Sequence, residues 1–384
     1  MYVVLLGPSA AGKTTMQALM CQPQWAGLPK GIRIQAADPR DAEELQRLAS
    51  QFEQQLREMP RWVPVDVTKL VPATPNTGDV LVREFSVGWK DRRDDRSAKE
   101  LFRMGFVDFA GGLLTEQPAQ IIEKVVEKTD GTPTLLVPVL DAVRLMEVPF
   151  MDRDSEIGLA TEKVAEVLAG LIEADENFFC SGVCVTRCET YASEWATSGD
   201  RRRFFNALHG WCSHLLRLVR NERKQNDNGY SVDSEMSGVA TPDEKETIKA
   251  FRLYPDGKTF GNARVQKGLA GLQPFLCYTT GCLRVREVRR RDGETSAWDF
   301  TFERTDAEFE PRHVGAVAAS ALLRAAWLAD RNRGVWRRLV DFVKRHSDLW
   351  DRMKQELEDC CREAGEEADR AIGELQAHKA AIGS

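Results

Sequence analysis

Apolar positions along the chain fall into two spacings, and the alternation between them predicts most of the elements. Tyr2-Val3-Val4-Leu5-Leu6 is a branched apolar run too short for a helix, which predicts a strand buried on both faces of a sheet. Met16, Leu19 and Met20 then recur at helical spacing, and Leu45, Leu48, Phe52 and Leu56 mark an amphipathic helix from Ala42 to Met59 after an Asp-Pro-Arg-Asp entry. Residues 60–77 carry four prolines and no period, so they read as a loop whose length points to a functional role. Residues 79–89 alternate as a strand, a charged tip at 90–99 turns it back, and 101–107 is the return strand.

Beyond the hairpin the two patterns alternate: helix at 118–128, strand at 134–140 ending in Asp141, helix at 156–174, strand at 178–185. An insertion over 190–270 contains an amphipathic stretch at 202–223 and a polar Gly/Ser/Asp-rich segment at 224–247, the composition of a disordered segment. A strand at 274–278 and an Ala-rich helix at 312–330 follow. After Gly334, the positions Leu339, Val343, His346, Trp350, Met353, Leu357, Cys360 and Ala364 step by four and three, and the seam resumes at Ala368 after one stutter. The fold class expected is α/β: a three-layer sheet with helices on both faces, helical insertions near 39–77 and 190–270 in a domain over 1–330, and a long helix over 335–384. That last helix either folds back on its own domain or pairs with another chain.

Composition narrows the classes. Net charge is −6 and no long basic run occurs, so nucleic acid is not an expected partner. The charged runs at 92–96 and 285–294 are partly self-neutralised and read as solvated turns. No apolar window approaches the length of a membrane span, and no secretory leader precedes the first strand, so a cytoplasmic protein is expected. Nine cysteines in such a chain read as free thiols. Cys180, Cys184 and Cys188 lie four apart in a strand pattern, a spacing that does not suit zinc even with Cys212 and His214 downstream.

The sharpest signal is Gly7-Pro8-Ser9-Ala10-Ala11-Gly12-Lys13-Thr14, which fits G-x-x-x-x-G-K-[ST] between a strand and a helix. Glycines let backbone N–H groups turn around phosphate oxygens, and the helix N-terminus adds partial positive charge. Gly7, Ser9, Ala10, Ala11, Gly12, Lys13, Thr14 and Thr15 are the expected nucleotide-binding residues, Lys13 reaching the β- and γ-phosphates and Thr14 the Mg²⁺ ion. Asp108-Phe109-Ala110-Gly111 is D-x-x-G at a strand end, where Asp108 belongs to the metal shell and the Gly111 N–H senses a γ-phosphate.

This arrangement resembles the Ras-like, translation-factor-related GTPases, over most of residues 1–330. It is similar in particular to bacterial P-loop GTPases of conflict and signalling gene clusters, which combine such a loop with an inserted helix, a Trp/Pro/Thr-rich switch (compare RWVP and PATPNTGD), D-x-x-G and T-K-x-D. The resemblance implies GTP or GDP with Mg²⁺, and a first switch in which Thr74 or Thr77 closes on the metal. It places base recognition at Thr186-Arg187-Cys188-Glu189, with Glu189 accepting from guanine and Arg187 stacking on the base, and at the Thr279-Thr280-Gly281 loop. Arg and Glu depart from the usual Lys and Asp, so ATP stays open as the ligand.

Function follows as an expectation: a switch that binds GTP, hydrolyses it slowly and regulates a protein effector, with phage defence as one setting such gene clusters imply. Lys13, Asp108 and Gly111 carry the chemistry. Gly112 stands where a water-orienting side chain is usual, leaving Thr115, Glu116, Gln117 or a partner to substitute. Arg187 or the arginines at 201–203 are candidates for a finger in cis. The alternatives are an ATPase or small-substrate kinase, and a nucleotide-binding scaffold that assembles through its C-terminal helix.

Overall fold

The computed structural model describes residues 1–65 (apart from 9, 27, 29 and 30), 80–89, 99–148, 155–175, 177–180, 182–192, 196–228, 273–290 and 298–322. Ser9, Thr74, Thr77 and the heptad segment at 335–384 lie outside the described residues. In chain order the first elements are β1 (Tyr2–Leu6), α1 (Lys13–Met20), β2 (Ile32–Ala36), α2 (Pro39–Glu58), β3 (Pro64–Val65), β4 (Val80–Trp89) and β5 (Lys99–Phe109). Next come α3 (Gly111–Glu116), α4 (Pro118–Thr129), β6 (Thr134–Asp141), α5 (Ala142–Glu147), α6 (Glu156–Ala174), β7 (Phe178–Cys180) and β8 (Gly182–Thr186). The rest are α7 (Glu189–Ala192), α8 (Ser198–Asn228), β9 (Gln273–Cys277), β10 (Leu283–Arg290), β11 (Trp298–Arg304) and a last helix over 316–322, α9.

The molecule is mixed α/β. Its main sheet runs β2-β4-β5-β1-β6-β8-β9, with β7 sharing one edge of β6 with β8. β5, β1, β6, β8 and β9 are parallel, while β4 turns back antiparallel on β5 and β2 lies antiparallel on β4. The apolar runs explain the centre: Val3 to Leu6 are fully buried, and every residue of β6 and β8 is buried, as strands covered on both faces must be. Two sets of helices supply the cover. α1 packs on α2, while α6 contacts α3, α4 and α8. The Trp211 indole N–H donates to the Thr161 hydroxyl at 2.9 Å, so α8 meets α6 without stranding a polar atom. α2 starts on Asp38, whose carboxylate accepts from the Arg40 N–H, with Pro39 as its first residue, and it buries Leu45, Leu48, Phe52 and Leu56 as its spacing predicts.

Two local readings change, and one strand is added. The strand expected over 178–185 is two strands, because the pairing with β6 slips by one residue between Thr134–Leu136 and Val139–Asp141, as it does at a bulge. β2, with Ile32 and Ile34 buried, extends the sheet beyond the hairpin. The run at 285–294 is not a solvated turn along its first part. Leu283–Arg290 forms β10 in a second sheet, β10-β11-β3, because Leu283 is buried and the buried carboxylate of Glu303 on β11 takes both Arg284 and Arg286. Among the described residues no helix is long and apolar enough to cross a membrane.

Candidate functional site

The chain leaves β1, builds the β2–β4–β5 side of the sheet, and then crosses to place β6 on the other side of β1. The loop after β1 therefore sits at the point where strand order reverses, the position at which open α/β sheets bind ligands at the carboxyl ends of their strands. Asp108 follows the last residue of β5 paired with β1, Asp141 ends β6 opposite Thr186 at the end of β8, and Cys277 ends β9 beside Thr186. The ends of β5, β6 and β8 thus lie beside the loop after β1.

The loop geometry requires its glycines. A Cβ at Gly7 would lie 2.6 Å from the Val139 carbonyl oxygen of β6, a backbone atom that cannot yield. Gly12 has φ +84°, a left-handed conformation that precedes the first turn of α1, and Ala10 is left-handed as well at φ +59°. Left-handed residues set into a turn aim successive N–H groups toward one concavity.

Lys13 begins α1 with its side chain curled under the loop. Its Nζ donates to the Gly7 carbonyl at 2.7 Å and to the Pro8 carbonyl at 3.2 Å, and it is buried. Burial pushes its pKa below the ordinary 10.5, while the Asp108 charge opposes that shift and Arg144 adds to it. The Thr14 hydroxyl lies 3.5 Å from Oδ2 of Asp108, a residue 94 positions away, and the other Asp108 oxygen accepts from the Phe109 N–H at 2.9 Å. Hydroxyl and carboxylate oxygens suit a hard divalent cation, and Mg²⁺ needs only one or two protein ligands when phosphates and waters supply the rest. Thr15 is half-buried on α1, and Gly111 is buried at the first position of α3. Gly112 follows it, and its carbonyl accepts from the Thr115 hydroxyl at 2.9 Å.

On the β6–β8–β9 side, Thr186 donates its hydroxyl to the Ala11 carbonyl at 2.8 Å and so ties β8 to the loop. Arg187 is left-handed at φ +55° and grips Asp141 with two nitrogens, Nε at 3.1 Å from Oδ1 and Nη2 on Oδ2. The same Nη2 donates to the Ala10 carbonyl at 3.0 Å. Glu189 and Thr280 are brought together and bond each other: Oε1 of Glu189 accepts from the Thr280 N–H at 2.9 Å and from the Thr280 hydroxyl, with the Thr279 hydroxyl at 3.5 Å. All three residues are buried.

Burial raises the Glu189 carboxyl above its ordinary 4.5, against the opposing effects of the Thr280 hydrogen bonds and the Arg187 charge. A carboxyl raised on folding supports the fold below its unfolded pKa and loses that support as pH climbs through its folded value. Glu189→Gln, a permanent stand-in for the neutral acid, should therefore melt with the wild type near pH ~4 and above it near pH ~8. A melting-temperature difference that stays flat or reverses between those limits would show that the carboxylate is held charged.

Four residues joined to this cluster are absent from the motifs: Gln17, 3.4 Å from Asp108, Arg83, which reaches Gln17, Asp141, and Arg144, 3.7 Å from Asp141. Asp141 was visible as an acid directly after a fully apolar strand, and Gln17 stands one turn beyond Lys13 on the same helix face. A cleft of about 850 Å³ lies elsewhere, lined by Trp62, Tyr191, Thr197, Arg284, Arg286 and Glu303 among others. Glu303 there holds both arginines, whereas buried Lys13, Asp108 and Asp141 lie about the loop after β1. Among the described residues no cluster of three or more His, Cys, Asp or Glu side chains is arranged to hold a metal, and Cys180, Cys184 and Cys188 are buried free thiols. In comparisons with family models, curated proteins and solved structures, the chain matches none.

Proposed function

We propose that this chain is a nucleotide-dependent switch of the P-loop GTPase type, binding GTP with Mg²⁺ on residues 7–15 and hydrolysing it slowly. One observation carries the reading: Lys13, Thr14 and Asp108 converge beside a glycine-dependent loop at the reversal point of the sheet. The sheet itself supports it, with one antiparallel hairpin next to β1 and parallel strands beyond.

In this reading Lys13 exchanges the carbonyls of Gly7 and Pro8 for β- and γ-phosphate oxygens, and the loop N–H groups receive the remaining charge. Thr14 and Asp108 are the residues that would hold Mg²⁺, with Thr74 or Thr77 as the further ligand. The ion's contribution, when bound, is to neutralise charge on the phosphates. Gly111 offers its N–H to the γ-phosphate, so α3 and the segment before β4 report whether that phosphate is present. Gly112 brings no side chain to orient water, and Arg187 is engaged with Asp141 and Ala10, so no arginine finger is supplied from that position. Such a finger is worth about 10³–10⁵ in rate, and turnover without it is slow, as a switch requires. A protein effector, or a second copy engaged through 335–384, reads the state.

A second reading concerns the base. Glu189 takes the Thr280 N–H, the donor that a guanine carbonyl would use, and this favours a site that accepts ATP along with GTP. Melting curves with GTP, GDP, ATP and ADP plus Mg²⁺ test both readings. A ligand at one hundred times its Kd adds about 2.7 kcal/mol. Guanine nucleotides alone raising Tm support the GTPase, equal shifts with adenine nucleotides support the looser base site, and no shift with any of the four removes the function.

A further inference from the structure

Gln17 is fully buried in α1, and its surroundings show why an amide is kept there. Nε2 lies 3.4 Å from Oδ2 of Asp108, the same oxygen that faces the Thr14 hydroxyl, and Oε1 lies 3.4 Å from Nη1 of Arg83. Chemistry fixes the orientation of the amide. A guanidinium only donates and a carboxylate only accepts, so the oxygen must face Arg83 and the nitrogen Asp108. Arg83 is buried in β4, and its other contacts are on the inserted helix α2: Nε is 3.9 Å from Asp41 and Nη2 is 3.6 Å from Glu44. A chain of polar groups therefore runs from the acidic first turns of α2, through a buried arginine and a buried amide, to the carboxylate beside Thr14.

We propose that Gln17 and Arg83 are positioning residues that hold Asp108 in the orientation needed for the metal of the bound nucleotide, and that Asp41 and Glu44 of α2 set that hold. The proposal rests on the nucleotide-site reading and assigns to the inserted helix a role in it. The neutral link is the physical point. An arginine placed directly on Asp108 would spend the carboxylate's charge and compete with a cation, whereas an amide fixes its orientation and leaves the charge in place. Groups that hydrogen-bond a metal's ligand commonly change metal affinity by about 10–100-fold when removed.

The test uses the full chain and GTP, with binding measured by calorimetry over graded Mg²⁺ and again in EDTA. Gln17→Met keeps length and removes both hydrogen-bonding groups. It should raise the Mg²⁺ concentration for half-maximal GTP binding by about 10-fold, with affinity in EDTA unchanged. A merely structural role would weaken both measurements together. Arg83→Lys should restore part of the Mg²⁺ dependence that Arg83→Met loses. The surface pair Asp41→Asn/Glu44→Gln, which leaves the core intact, should move the half-maximal Mg²⁺ in the same direction and carries the test if the buried variants fail to fold. Wild-type Mg²⁺ dependence in that pair, or in a folded Gln17→Met, overturns the proposal while leaving nucleotide binding standing. Absence of GTP binding by the wild type overturns the functional reading itself.

Discussion

A Lys13→Ala protein should fold and should gain no stability from any nucleotide. On the proposed function the wild type, with ligand at a hundredfold excess over Kd, should gain about 2.7 kcal/mol, roughly 3 °C in Tm for a chain of this length. Survival of the fold follows from the lysine's position. Its ammonium is buried, so its removal lifts a desolvation cost that offsets the donor lost by the carbonyls of Gly7 and Pro8 and the positive charge lost beside buried Asp108. Loss of binding follows from the same geometry, since Lys13 is the cation seated inside the loop. A pH series supplies an independent check. The free lysine titrates below 10.5, and a phosphate anion beside it raises its pKa again. Binding then takes up a proton in the window between the two values, and affinity falls as pH rises through that window. Calorimetry in two buffers of different ionisation enthalpy would reveal the uptake. Full nucleotide binding by Lys13→Ala would end the assignment of this loop to phosphate.

What could be read from the chain beforehand divides along a physical line. β1 and β6 were legible because strands buried on both faces are apolar along their length, and α2 was legible because one helical face must be. β10 was missed because its polar positions carry arginines whose neutralising partner, Glu303, comes from another strand, and a one-dimensional reading assigns such a run to solvent. Arg83 is the same case within the core. It lies in phase with buried Phe85 and Val87 on β4, and only the arrival of α2 and Gln17 makes an inward arginine tolerable. Glu189 and Thr280 follow the ends of the neighbouring strands β8 and β9, as the sequence places them. That the Glu189 carboxylate takes the Thr280 N–H and hydroxyl is a contact about which spacing carries no information.

Arg187→Ala should be the most destabilising single change at the site. Asp141 is 1% exposed, and Arg187 holds both its oxygens, with one guanidinium nitrogen reaching on to the Ala10 carbonyl. Asp141 also caps α5 by accepting from the Val143 N–H at 3.0 Å, so the pair joins β6, β8, α5 and the loop after β1. Breaking a buried pair from one side leaves a desolvated charge and typically costs about 3–5 kcal/mol. The lower end applies here, because Arg144 stays 3.7 Å from the same carboxylate. Arg187→Lys should fall between, since a point charge cannot satisfy two oxygens and a carbonyl in one plane. If the stranded charge is the cause, Asp141→Asn introduced with Arg187→Ala recovers part of the loss, and the double-mutant cycle gives a coupling of about 0.5–3 kcal/mol. Urea denaturation of the four proteins measures it. Strict additivity, or an Arg187→Ala midpoint equal to that of the wild type, would mean that the loop after β1 is anchored by its glycines and by Thr186 and owes nothing to the arginine.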